Sequence, residues 1–147
     1  MTTKWLKYHL EESAKAVGCK FVVVRDCDAG IDIYAKEAVT LFSKEQEQIS
    51  TGLYLEIPLD HWGLLKDRSS LASRGIFVVG GVIDSGYRGE IVVLLRNAGH
   101  KHYHVEAGNR IAQLIVIECP KVTIAEVEKN KLLPSSRGSD GFGSTGA

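Results

Sequence analysis

A chain of 147 residues has the length of one domain, and its 18 basic and 18 acidic side chains leave no net charge for nonspecific nucleic-acid binding. Three cysteines, Cys19, Cys27 and Cys119, form no CxxC pair and are too few for a disulfide scaffold, so a reducing compartment is expected: cytoplasm, or nucleus in a eukaryotic or viral setting. No apolar run is long enough to cross a bilayer and no signal-peptide stretch opens the chain, so neither membrane nor nucleic acid is expected as a partner.

Leu6, Leu10, Ala14 and Val17 recur at helical spacing, which predicts a short amphipathic helix within residues 1–18, stopped by Gly18. From Lys20 the pattern turns to β. Phe21 to Val24 is β-rich, Ile31, Ile33 and Ala35 alternate, and so do Leu53, Leu55 and Ile57 before Pro58. Ile76–Val79, Glu90–Leu95, Ile111–Ile117 and Val122–Val127 are further strand candidates. Short strands parted by Gly, Asp, Asn and Pro predict an all-β sandwich or barrel, and composition leaves both open. Ser69 to Arg74, before Gly75, is expected to make one helical turn whose N–H groups can meet a phosphate. His100, His102 and His104 alternate, as a metal triad on one strand face would. They stand apart from the other polar clusters and are read as a solvated strand. After Pro134 the composition shifts to Gly, Ser, Thr and charge, with Phe142 the one large apolar residue. The expected organisation is therefore a β domain over 1–134 and a flexible arm over 135–147.

Five islands carry the candidate chemistry: Ala29–Ala35, Arg68–Ala72, Gly81–Gly89, Gly108–Ile115 and Arg137–Gly146. Together they hold two separated carboxylates, several phosphate donors, an aromatic beside a carboxylate and a Gly-rich tail with one Phe. That inventory suits a metal-bound polyphosphate and a flat base. Asp84 ends the apolar run Val82–Ile83, where a carboxylate can take a proton from water. Taken alone, Asp84-Ser85-Gly86 reads as a turn instead. Arg68 offers a planar fork for phosphate oxygens, and Ser69, Ser70 and Gln113 add donors.

In order and content these islands resemble the five motifs of the trimeric dUTPases, over most of the chain from Ala29 to Gly146. The resemblance implies a jelly-roll-like β-barrel in a homotrimer that hydrolyses dUTP to dUMP and pyrophosphate with Mg²⁺. It makes Asp84 the residue that activates water for attack on the α-phosphorus. Asp32 would hold Mg²⁺ through water, which suits a cation that keeps its hydration. Arg68, Ser69, Ser70 and Gln113 would contact phosphates. Tyr87 would pack under the deoxyribose and exclude a 2′-hydroxyl, and the backbone around Gly81 and Val82 would read uracil. In the tail, Phe142 would stack on the base while Arg137, Gly143, Ser144 and Thr145 close over the phosphates.

Some positions depart from the family pattern. Asp67 stands where Pro is usual, Ser70 where Gly is usual, Asn109 where Asp is usual, and Ile31 where Tyr or Phe is frequent. The fifth motif also commonly has Gly near the position of Asp140. Arg68–Ala72 equally resembles the dCTP deaminases of the same fold. Their general acid/base Glu falls where this chain has Leu94, which cannot move protons. A different alternative is a regulator of this fold that grips a protein partner under dUTP control.

Overall fold

The computed structural model describes residues 4–139. Its core is a set of antiparallel strands in two four-stranded sheets and a two-stranded ribbon. The first sheet has the order β1 (Lys7–Leu10), β4 (Gln46–Glu56), β8 (Glu90–Asn97), β6 (Ile76–Val78). The second has the order β2 (Ile31–Tyr34), β10 (Arg110–Glu118), β5 (His61–Lys66), β7 (Val82–Ile83). The ribbon pairs β3 (Val39–Leu41) with β9 (Tyr103–Val105). The fold is all-β as expected, but among the described residues the ladders do not close into a continuous barrel.

The central strands form where alternation puts apolar side chains on one face. On β8, Ile91, Val93 and Leu95 are buried while Val92 and Arg96 point out. On β4, Ile49, Leu53 and Leu55 are buried, and the register against β8 shifts between Ser50 and Tyr54. The shift leaves backbone N–H groups without a ladder partner, and the Glu90 carboxylate receives two of them, from Thr51 at 3.0 Å and Gly52 at 2.8 Å. Burial works against the charge on Glu90. Hydrogen bonds from Ser50 Oγ and these amides, with the nearby Lys36 charge, still hold its carboxyl below the usual range.

Three sequence expectations change. The N-terminal helix shrinks to α1 (Glu12–Ala16), and Lys7–Leu10 form a strand against the exposed side of β4. Leu6, Tyr8 and Leu10 fit a period of two as well as a helical one, and the available β4 edge decides. Phe21–Val24 forms no strand: Phe21 is buried against Tyr8 with ring centroids 5.1 Å apart, while the three valines are exposed. Val122–Val127 likewise has no strand partner among the described residues, with Val122 79% and Ile124 92% exposed. Among the described residues no helix is long and apolar enough to cross a membrane.

Candidate functional site

The second sheet builds an open polar cavity from three strands. Asp32 on β2 stands opposite Gln113 on β10, and Gln113 stands opposite Lys66 on β5. From Lys66 the chain runs through Asp67 and Arg68 into the single turn α2 (Ser69–Ala72). Leu71 and Ala72 both donate to the Arg68 carbonyl, so Ser69 and Ser70 open the turn toward solvent. The result is a cavity of about 460 Å³ lined by Arg25, Asp28, Asp32, Arg68, Arg110 and Gln113, with Gly30 and Ser69 at its wall.

Asp32 is bracketed by two guanidinium groups. Arg68 Nε donates to Oδ1 at 3.0 Å and Arg110 Nη1 to Oδ2 at 3.3 Å. Burial, and then the Asp32 charge, push the neighbouring Tyr34 phenol up against the opposing pull of Arg110 and Arg68. Gln113 Nε2 donates to the Asp67 carbonyl at 2.9 Å, and its Oε1 lies against Gly30 where any Cβ would collide. The unusual Asp67 has a clear use. Its Oδ1 accepts the Val78 N–H at 2.6 Å, which ties the start of the α2 turn to β6, and its Oδ2 lies 3.7 Å from Lys66 Nζ. Asn109 also has a local role, its Oδ1 accepting the Glu106 N–H at 2.9 Å across a turn that Asp would close equally well.

Asp84 and Tyr87 sit elsewhere. β7 is an edge strand paired with β5 through Val82↔Leu64 and Ile83↔Gly63, and the Gly81 carbonyl accepts the Leu65 N–H at 2.8 Å. A tight turn follows: Tyr87 N–H donates to the Asp84 carbonyl at 3.0 Å, and Arg88 Nη1 donates to the Ser85 carbonyl at 2.7 Å. Val82, Ile83, Asp84, Tyr87, Glu90 and Val92 line a shallow cavity of about 160 Å³. Continuing the β5–β7 register sets Asp84 level with Trp62. At about 3.3 Å per residue, the position of Asp84 lies about 13 Å along β5 from Lys66, and Arg68 stands two residues beyond that end of the strand.

The structure therefore groups the predicted residues into two sets. Asp32, Arg68, Ser69 and Gln113 share one cavity, and Val82, Asp84 and Tyr87 share another. Ser70 faces a third hollow, with Arg74, Tyr103 and Arg110. Arg137 is exposed in a turn near the end of the described chain and lines neither of the first two cavities. Phe142, Gly143, Ser144 and Thr145 lie outside the described residues. Arg110 and Arg25 were not singled out from sequence. Arg110 lies inside the fourth island and had a signal, whereas Arg25 precedes the first island and had none. The histidines do not share a strand face: β9 starts at Tyr103, and only His104 lies on it. Its ring nitrogens meet Thr40 Oγ1 at 3.0 Å and Glu106 Oε1 at 3.2 Å.

Known proteins match this chain over most of its length. The dUTPase family model matches residues 22–146. The deoxyuridine 5′-triphosphate nucleotidohydrolase of Clostridium novyi (strain NT) is 41% identical over 122 residues, covering 81% of this chain and 84% of the relative. Its counterpart from Anaeromyxobacter sp. (strain Fw109-5) is 45% identical over 124 residues, covering 82% and 83%. Among solved structures, the Staphylococcus bacteriophage 80alpha dUTPase with dUPNHPP superposes with a TM-score of 0.88 at 28% identity, covering 99% of this chain and all of the other. With five motifs in order, a matching fold and relatives above 40% identity, this chain belongs to the dUTPase family.

Proposed function

We propose that this chain is a homotrimeric dUTP diphosphatase whose active site is shared between subunits. The observation that carries the reading is the separation of its two half-sites. Asp84 and Arg68 belong to opposite ends of β5, too far apart to serve one α-phosphorus within a single chain. A second copy that presents its Asp84 cavity to the Asp32 cavity of the first would complete the site. The surfaces support such an assembly. Val82, beside Asp84, is 64% exposed, and Val122, Ile124 and Val127 form an extended apolar segment that no strand among the described residues covers. A homotrimer gives each of these surfaces a place to be buried.

In this reading Asp84 takes the proton from a water that attacks the α-phosphorus. Arg68, Ser69, Ser70 and Gln113 hold the triphosphate, and Arg110 and Arg25 add positive charge at the cavity wall. The edge-strand backbone at Gly81–Val82 reads uracil, and Tyr87 packs under the deoxyribose. Arg137, Phe142, Gly143, Ser144 and Thr145 close the arm over the bound nucleotide. The residues present fit Mg²⁺. Asp32 is fixed at the cavity wall, with Asp28 also in the lining, and would hold the cation through water, which suits a hard cation that keeps its hydration. When bound, such a cation neutralises phosphate charge and orients the chain for in-line displacement.

Incubation of the protein and Mg²⁺ with dUTP, dCTP, dTTP and UTP in turn tests the reading. The expected products are dUMP and pyrophosphate from dUTP, with little turnover of the other three. Uracil nucleotide formed from dCTP would instead mark a deaminase. One neighbour favours a second role. The phage 80alpha dUTPase is described as controlling transfer of virulence genes by a proto-oncogenic G protein-like mechanism. If this chain also acts as a regulator, pull-downs with and without dUTP will capture different proteins.

A further inference from the structure

The geometry points to Gly89 and Glu90 as the residues that set the position of the Tyr87 ring, and through it the discrimination between deoxyribose and ribose. The inference rests on the reading of Tyr87 as the sugar gate. Tyr87 lies in a turn rather than a strand and is about half exposed in the single chain, so its own backbone does not fix its ring. Two contacts do. The first is at the ring's tip, where Tyr87 Oη donates to the Glu90 carbonyl at 3.0 Å. That carbonyl is itself anchored, because the Glu90 side chain fills the irregularity in β4. It accepts the Thr51 N–H at 3.0 Å, the Gly52 N–H at 2.8 Å and the Ser50 hydroxyl. The second contact is along the ring's edge. A Cβ at residue 89 would stand 2.6 Å from Tyr87 Cζ and still nearer to Oη, so the ring can lie where it does only over glycine.

Both features act through Tyr87, so Gly89 and Glu90 are positioning residues. Glu90 ties the gate to the first sheet, while Asp84 hangs from the second through β7 and β5. A ring released from either contact tilts, and the space it leaves admits a 2′-hydroxyl. A site excludes a slightly larger ligand only as well as its wall is held.

The test is the ratio of kcat/KM for UTP to that for dUTP in the full-length protein. Gly89→Ala and Glu90→Ala are each expected to raise that ratio about tenfold, with KM for dUTP rising more than kcat falls. Glu90→Gln keeps an oxygen for the Thr51 and Gly52 amides and is expected to retain the wild-type ratio. A structural defect alone would lower both substrates' rates together and leave the ratio unmoved. Gly89→Ala leaves every β4 bond in place, so it decides the matter even if Glu90→Ala does not fold. If Tyr87→Ala raises the ratio while Gly89→Ala and any folded Glu90→Ala do not, the inference is wrong and the gate stands. If Tyr87→Ala leaves the ratio at its wild-type value, the gate reading falls and the inference falls with it.

Discussion

Arg68 reaches from the end of β5 to Asp32 on β2, its Nε donating to Oδ1 at 3.0 Å, with both side chains largely buried. The bond joins residues from two separate sequence islands, and Arg110 from a third joins them on the other carboxylate oxygen. A carboxylate held from both sides keeps one orientation, which a water-mediated metal contact requires. The bond to Asp32 uses only Nε, so the terminal amino groups of Arg68 are expected to serve phosphate. Lys keeps the charge but has no planar fork to serve both neighbours. Arg68→Lys is therefore expected to raise KM for dUTP about tenfold or more, the scale of one charge-assisted hydrogen bond. Steady-state kinetics at saturating Mg²⁺ measure it, and an unchanged KM would separate Arg68 from substrate binding.

Gly30 tests the same cavity by packing. Its Cα lies against the Gln113 amide with no room for a methyl group. Gly30→Ala must push Gln113 off its bond to the Asp67 carbonyl or shift β2. Overpacking of this kind costs about 1–3 kcal/mol. The expected result is a lower Tm together with a raised KM for dUTP. Gln113→Ala in the same background restores space, so Gly30→Ala/Gln113→Ala should recover the Tm while KM stays high. Recovery of both would show that Gln113 contributes nothing to binding.

The strands at 31–34, 90–97 and 110–118 were legible because burial on one face enforces alternation, and the side chains carry that record. β1 was not, since Leu6, Tyr8 and Leu10 satisfy two periods at once and only the edge of β4 chooses between them. Phe21–Val24 and Val122–Val127 have strand composition and no strand partner among the described residues, and composition cannot report where a partner lies. The site divides in the same way. Asp32, Arg68, Ser69 and Gln113, which share one cavity, could be singled out only because their islands resemble family motifs; each alone is an ordinary surface polar residue. The local uses of Asp67 and Asn109, one holding Val78 and the other a turn, depend on contacts between distant segments or on turn geometry and leave no pattern along the chain.

Asp84→Asn removes the proton acceptor and keeps the size of the side chain. Binding of a non-hydrolysable dUTP analogue should persist at near wild-type affinity. Turnover should fall by about 10²–10⁴-fold, the usual contribution of a general base. Isothermal titration and single-turnover kinetics on the same preparation separate the two quantities. Near-normal turnover would take Asp84 out of the mechanism.

Acid stability has a separate prediction at Asp60. Hydrogen bonds from Lys4 and His61 hold its carboxyl at about 2, against a usual 3.8. A carboxylate whose folded pKa is depressed adds stability that is complete above the unfolded value. That stability is lost as pH falls from 3.8 toward about 2, because the unfolded chain takes up the proton first. Asp60→Asn should flatten the dependence of unfolding free energy on pH across that window and leave its slope near neutrality unchanged. The group is partly exposed, so added salt should shrink the difference between the two proteins. An identical acid limb for both, in low salt, would show that the Asp60 contacts do not contribute.

The shared site predicts rescue between two inactive chains. One variant carries Asp84→Asn; the other ends at Pro134 and lacks the arm. Each homotrimer should be nearly inactive, the first for want of a base and the second for want of closure over the nucleotide. In a mixed trimer a site can combine Asp84 from the truncated chain with an arm from the Asp84→Asn chain. The Gly-rich arm has the composition to cross between subunits, since a flexible segment spans roughly 5–6 Å × √n. If base and arm come from different chains, random assembly from equal amounts makes about one site in four complete. Co-refolding the two variants should therefore restore about a quarter of the wild-type rate per site. Native mass spectrometry confirms that mixed trimers are present. Mixed trimers without activity would place the base and the arm on one chain, and the shared site would have to be abandoned.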